Sequence, residues 1–189
     1  AFDSNNNGWL PGNGGGCNCV AELASGSTSA TNIDNNALGL FPIGQLSDSL
    51  AEAVDGNNAP WQANTNNKLI RFGVVNFLGN FVVDYVTATG GGLNAPATLS
   101  VDGGNNLWVA NSGSNTVSGF TNGGVSLNNA STTAGFPTGS ATTAVTYAAA
   151  PDFSGNLWTA NSDGTVTQLL GLATPTATPV VPGQLGSKP

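Results

Sequence analysis

Three aspartates sit at the same place in three similar stretches, and they are the first residues with chemistry to offer. Asp55, Asp102 and Asp152 are followed by Asn58, Asn106 and Asn156, the last two four residues on. Carboxylate and amide oxygens in one short loop are the ligands that Ca²⁺ takes. The same residues also make Asx turns, in which the carboxylate accepts backbone N–H groups and closes a hairpin. One such loop per repeat is too dispersed to share an ion. The turn is therefore the expectation, with no bound metal and no cofactor. Glu22 and Glu52 are the only glutamates, thirty residues apart. A carboxylate pair can hydrolyse a glycosidic bond, but nothing else marks a cleft around these two. The chain has no histidine, so its serines lack the usual base, and no Gly-x-Ser-x-Gly elbow occurs.

Cys17-Asn18-Cys19 follows three glycines. Two thiols do not complete a zinc site. A local Cys17–Cys19 disulfide is the first expectation, because a Gly-rich turn can shorten the span between them. An intersubunit bond is the second and free thiols the third. Trp9, Trp61, Trp108 and Trp158 are all the tryptophans in the chain, at intervals of 52, 47 and 50 residues. Indoles can stack on sugar rings, which would make the chain a glycan binder. One indole per repeat suits a core position between repeats better.

The elements that hold these residues repeat as well. Val101-Asp102-Gly103-Gly104-Asn105-Asn106-Leu107-Trp108-Val109-Ala110-Asn111 reads as strand, tight turn, strand. The stretches 151–161 and 54–64 repeat it, and 2–13 is the weakest copy. Aligned on the indoles, the chain divides into units of about 1–46, 47–95, 96–142 and 143–172. Each unit holds short β-prone runs between Gly/Asn turns. In the third these are 97–102, 107–112, 116–121 and 125–128. In the second they are 49–55, 59–65, 68–75 and 81–87, with 47–54 read as strand rather than helix. Four short antiparallel strands at a period near 50 residues make a propeller blade. The fold expected is all-β, a small β-propeller or propeller-like array of four blades. A Pro-punctuated tail, 173–189, should run extended along a surface or edge.

Composition limits the partners. Of 189 residues only 7% are charged and the net charge is −7, with Lys68, Arg71 and Lys188 the only cations. That argues against nucleic acid and against anionic membrane surfaces. No apolar run approaches the ~20 residues needed to cross a bilayer. The absence of Met, even at position 1, suggests a processed chain or the remnant of a longer one. Few charges with abundant Asn, Ser and Thr suit a secreted or cell-surface bacterial protein.

The repeats resemble those of bacterial NHL-type β-propellers, the group that includes virginiamycin B lyase-like and gluconolactonase-like proteins. The resemblance rests on Gly91-Gly92-Leu93-Asn94-Ala95-Pro96 leading to Val101-Asp102, then on Asn106 to Val117. It returns in Gly155 to Asn161 and in Gly164-Thr165-Val166-Thr167. It covers roughly residues 50–182, and residues 1–49 only through the Trp and its Asn/Gly turn. It implies a propeller. Lyase-like members use a catalytic His and a divalent metal, and without a histidine that chemistry does not carry over. Lactonase-like members hold a metal with Glu, Asn and Asp around a channel. Glu22, Glu52 and Asp84 are present here, but no position maps to that set.

One anomaly remains at the ends. Only Ala1-Phe2 precede the first unit's Asp, and the last unit breaks into Pro-rich sequence. Open strand edges invite pairing with another chain. The functional expectation is a secreted, non-catalytic structural protein that self-associates as a homo-oligomer or polymer, in a fibre or surface layer. Its assembly residues would be Ala1, Phe2, Pro175, Pro179, Val180, Val181 and Pro182. The rival expectations are a metal-dependent lactonase- or lyase-like enzyme and a carbohydrate-binding propeller.

Overall fold

The computed structural model describes residues 1–11, 19–34, 49–77, 80–128, 134–139 and 144–175, and among them there is no helix. Four antiparallel sheets follow one another along the chain. Blade 1 contains β1 (Gly8–Pro11), β2 (Cys19–Leu23) and β3 (Thr31–Asp34). Blade 2 contains β4 (Ser49–Val54), β5 (Pro60–Asn64), β6 (Lys68–Phe77) and β7 (Asn80–Thr89). Blade 3 contains β8 (Pro96–Val101), β9 (Leu107–Asn111), β10 (Thr116–Phe120) and β11 (Phe136–Pro137), and blade 4 contains β12 (Thr146–Pro151), β13 (Leu157–Asn161) and β14 (Val166–Leu169). The all-β, four-blade expectation holds, and 47–54 is strand wherever it is described.

Two details differ from the sequence reading. Blades 1 and 4 have three strands each among the described residues. In blade 1 the place of a first strand is taken by Ala1-Phe2, which forms only the isolated Phe2–Gly8 bridge. The fourth strand of blade 3 is not 125–128, which makes a single bridge, Phe120–Ser126. The reason lies in Asn128. Its Nδ2 donates to the carbonyls of Gly91 (2.6 Å) and Ala134 (3.0 Å), which draws the segment off the ladder. The other half of the β10 edge then pairs with Phe136–Pro137.

The blades stack by a repeated rule. Side chains alternate across a strand, so each sheet has a face that bears its tryptophan and a face that does not. The Trp face of blade 1 (Trp9, Val20) packs on Val54, Ile70 and Phe72 of blade 2. The Trp face of blade 2 (Ala53, Trp61, Ala63, Leu69) packs on Leu99, Leu107, Val109 and Phe120 of blade 3. That of blade 3 (Trp108, Ala110, Val117) packs on Ala149 and Leu157 of blade 4 and on Ala173. β5 and β9 are consequently buried on both faces. Strands β4, β8 and β12 pack side by side in sequence, and β1 packs on β4. No comparable packing joins β12 back to β1 among the described residues.

The residues opposite two of the indoles fit them in different ways. Trp108 faces Gly119 across the ladder, and a Cβ at Gly119 would come within 2.8 Å of its Cζ3. Trp61 faces Arg71, whose guanidinium lies 5.9 Å from the ring centroid. The same guanidinium donates from Nη1 to the carbonyl of Asn122 (2.8 Å), tying blade 2 to blade 3. The first described strands of blades 2, 3 and 4 also share a register shift, at Ser49/Ala51, Pro96/Thr98 and Thr146/Ala148.

Candidate functional site

The four Asp-to-Trp hairpins have one geometry. Oδ1 of Asp102 accepts the backbone N–H groups of Gly104 (2.9 Å) and Asn106 (2.9 Å), and Oδ2 accepts the Trp108 indole N–H (2.9 Å). Asp55 does the same with Asn57, Ala59 and Trp61 Nε1 (3.0 Å), and Asp152 with Ser154, Asn156 and Trp158 Nε1 (2.9 Å). Asp3 completes the series with Asn5, Asn7 and Trp9 Nε1 (3.1 Å). Asn106 and Asn156 add side-chain amide donors to their aspartates. Each carboxylate therefore already has three or more donors, which leaves little lone-pair capacity for a cation. Three residues after each Asp the backbone is left-handed, at Asn6, Asn58, Asn105 and Gly155, where Asn and Gly are tolerated.

These turns also link blade to blade, which the sequence did not reveal. Asn58 Oδ1 accepts the Ser4 amide (3.0 Å), and Asn58 Nδ2 donates to Ser4 Oγ (2.6 Å). Asn105 Oδ1 accepts the Gly56 amide (2.6 Å). At the far end, Thr174 closes the series. Its amide donates to Asp102 Oδ2 (2.8 Å), and its carbonyl accepts the Gly103 amide (3.1 Å). The tail thus begins by stitching blade 4 back onto blade 3.

Hydrogen bonding sets the acidity of these groups. In Asp152 the Asn156 amide, the Trp158 indole and the Asn156 backbone N–H stabilise the carboxylate and hold its pKa down at about 2. In Asp102 burial pushes the pKa up, but the bonds from Thr174, Trp108 and Asn106 together outweigh it, and the net shift is downward.

The indole column ends in an exception. Trp9, Trp61 and Trp108 are 3%, 0% and 1% exposed, whereas Trp158 is 41% exposed. Among the described residues no blade packs against this face, which corresponds to the faces that blades 1 to 3 bury against their next neighbour. Strand β13 alternates buried and exposed where β5 and β9 are buried throughout. A concavity of about 210 Å³ runs across this face, lined by Ala148, Ala150, Trp158, Ala160 and Val166 with Ala149 and Thr159 beneath. Sugar stacking is closed to the three buried indoles.

The two glutamates lie on the faces that blades 1 and 2 turn toward each other, since Glu22 pairs with Trp9 and Glu52 with Gln62. Both Glu52 carboxyl oxygens are buried and have no hydrogen-bond partner. Burial pushes this carboxyl up to about 7, with the N-terminal ammonium pulling it partly back. Glu22 is raised by burial and then by the charge of Asp3. Between 4.5, the ordinary Glu value, and about 7 the folded chain keeps the Glu52 proton while the unfolded chain has lost it. Stability therefore falls as pH rises through that window, by roughly 2–3 kcal/mol. Glu52→Gln is expected to remove this slope and to raise the urea midpoint at pH 8, as measured by denaturation at pH 4.5 and pH 8.

The remaining sequence candidates scatter. Cys17, Pro179, Val180, Val181 and Pro182 lie outside the described residues, as do the side chains of Cys19 and Asp84. Ala1 is paired within its own blade, its amino group donating to the Trp9 carbonyl (2.8 Å) and its carbonyl accepting the Trp9 amide (2.7 Å). Its backbone is thus not an open edge, and what this end offers is the exposed Phe2 ring. Pro175 lies over Gly155, within about 3 Å of where a Cβ would stand.

No family model matches the chain. No curated protein matches it either. Solved structures do. A catalytically inactive form of virginiamycin B lyase from Staphylococcus aureus, determined with quinupristin, superposes with a TM-score of 0.62 at 14% identity, over 94% of this chain and 56% of that one. A protein with a provisional gluconolactonase assignment gives 0.58 at 16% identity, over 89% and 56%. PorZ, a bacterial surface component of the type-IX secretion system of Porphyromonas gingivalis, gives 0.57 at 18% identity, over 94% and 26%. The chain thus spans little more than half the length of the lyase and lactonase structures. These likenesses correct the expectation that the chain is no enzyme. The missing histidine removes one kind of chemistry, but the fold is one on which lyase and lactonase sites are built, and the question of an activity is open. At 14–18% identity the likeness carries the fold alone, and that fold is the propeller of the virginiamycin B lyase-like and gluconolactonase-like proteins.

Proposed function

We propose that the chain is a module of the bacterial cell exterior that self-associates through the uncovered faces of its terminal blades. The observation that carries this reading is the exposed Trp158, set in an apolar face whose counterparts in blades 1 to 3 are all buried. Leaving such a face in water forgoes the stabilisation that each internal interface gains from burial. The side chains that line its concavity are all uncharged. The likeness to a bacterial surface component supports the location. Sedimentation velocity over a wide concentration series tests the proposal. A sedimentation coefficient that rises with concentration supports it, and a monomer at every concentration refutes it.

A second reading is an acid–base activity at Glu52. A carboxyl that keeps its proton near neutrality is suited to act as a general acid, and Glu52 is the described carboxyl raised furthest toward neutrality. Turnover of a lactone or a cyclic ester that is lost in a folded Glu52→Gln variant would support it. Turnover unchanged by that substitution would remove it.

A further inference from the structure

We infer that two copies of the chain join head to tail, the Trp158 face of each covering the outer face of blade 1 in the other, and close into one ring of eight blades. This rests on the self-association reading and names its partner and geometry.

The argument starts from the two faces. In every internal interface the Trp face of one blade meets the Trp-free face of the next. Among the described residues two faces have no such neighbour, and they are of opposite kinds. At one end is the Trp face of blade 4, with Ala148, Ala150, Trp158, Ala160 and Val166. At the other is the Trp-free face of blade 1, with Leu10 opposite Ala21 and Gly8 opposite Leu23. The residue following each Trp shows what that second face lacks. Gln62, Val109 and Thr159 are 1%, 0% and 1% exposed, while Leu10 is 50% exposed. Phe2 beside it is 77% exposed. The two open faces thus offer the same pairing that the chain makes three times internally, and the concavity beside Trp158 is lined by uncharged side chains.

Closure follows from number and direction. Head-to-tail contacts are heterologous and give a ring if the rotation closes, or a filament if it does not. The chain covers 56% of the propellers it superposes on, so two copies supply slightly more than one full turn. Four blades each make eight, within the range that propellers adopt. Once the first contact forms, the second is intramolecular, which favours the closed pair over further growth.

The test uses the 189-residue chain and two exposed substitutions that touch no hydrogen bond described above, Val166→Glu and Leu10→Glu. Light scattering coupled to gel filtration is expected to find a dimer that does not grow further as concentration rises. Each variant alone should be monomeric, its dimerisation weakened at least about 100-fold, with thermal unfolding like that of the parent. An equimolar mixture of the two should dimerise again through its one intact interface, more weakly than the parent. Continued growth into long assemblies would overturn the closed ring while leaving self-association in place. A Leu10→Glu chain that still dimerises would overturn the head-to-tail pairing. A parent that stays monomeric would overturn both this inference and the proposal beneath it.

Discussion

Trp108→Ala is expected to lower the free energy of unfolding by roughly 3–5 kcal/mol. The indole is buried between blades 3 and 4 with Ala110, Val117, Ala149, Leu157 and Ala173. It also meets Phe136 with ring centroids 5.8 Å apart, and its N–H donates to Asp102. Truncation would open a cavity at the centre of a blade interface and leave Oδ2 of Asp102 short of a donor. Trp158→Ala is the control. It removes the same side chain from the same place in the repeat, but from a face open to water. Its cost in the monomer is expected to be about 1 kcal/mol. Urea denaturation of both variants checks the contrast, and equal losses would contradict the stacking described here.

Asp102→Ala comes second, at roughly 3–5 kcal/mol. The carboxylate accepts from the amides of Gly104, Asn106 and Thr174, from the Asn106 side chain and from the Trp108 indole. Removing it strands several donors, some of them in a buried setting. It also cuts the tail loose from blade 3. Asp152→Ala removes an equivalent turn that is open to solvent and has no bond to the tail, and is expected to cost much less. Asp102 adds a pH dependence of its own. Its folded pKa lies below the ordinary 3.8, so it contributes stability above that value, and the contribution is lost as pH falls through the folded pKa. Acid unfolding of Asp102→Asn should therefore start from a lower stability and show a shallower pH slope than the parent.

Much of this could be read in the sequence, for a physical reason. A repeated Asp, a left-handed Asn or Gly three residues on and a Trp six residues on are local features, all within one hairpin. The strands beside them, such as β8, β9 and β13, follow from the same short-range pattern. What could not be read depends on the neighbouring blade. Asn58 and Asn105 announce a turn, but not that their side chains reach Ser4 and Gly56, some fifty residues away. Strand β11 leaves no mark in the sequence, because a two-residue Phe-Pro pairing has no periodicity to detect. Glu52 looks like any surface glutamate in a polar chain, and only the blade packed beside it makes it unusual. Thr174 falls in the tail expected to run extended along a surface or edge, but only the structure shows that its bonds to Asp102 and Gly103 fix it on blade 3.

The central claim is that one indole of four is left uncovered and that a second copy of the chain covers it. Acrylamide quenching of tryptophan fluorescence, followed as the chain is diluted, tests this most directly. In dilute solution one readily quenched component should stand beside three protected ones, and Trp158→Phe should abolish it. At high concentration the same component should become protected as the copies join. A quenchable fraction that is the same at all concentrations, or that survives in Trp158→Phe, would contradict the account.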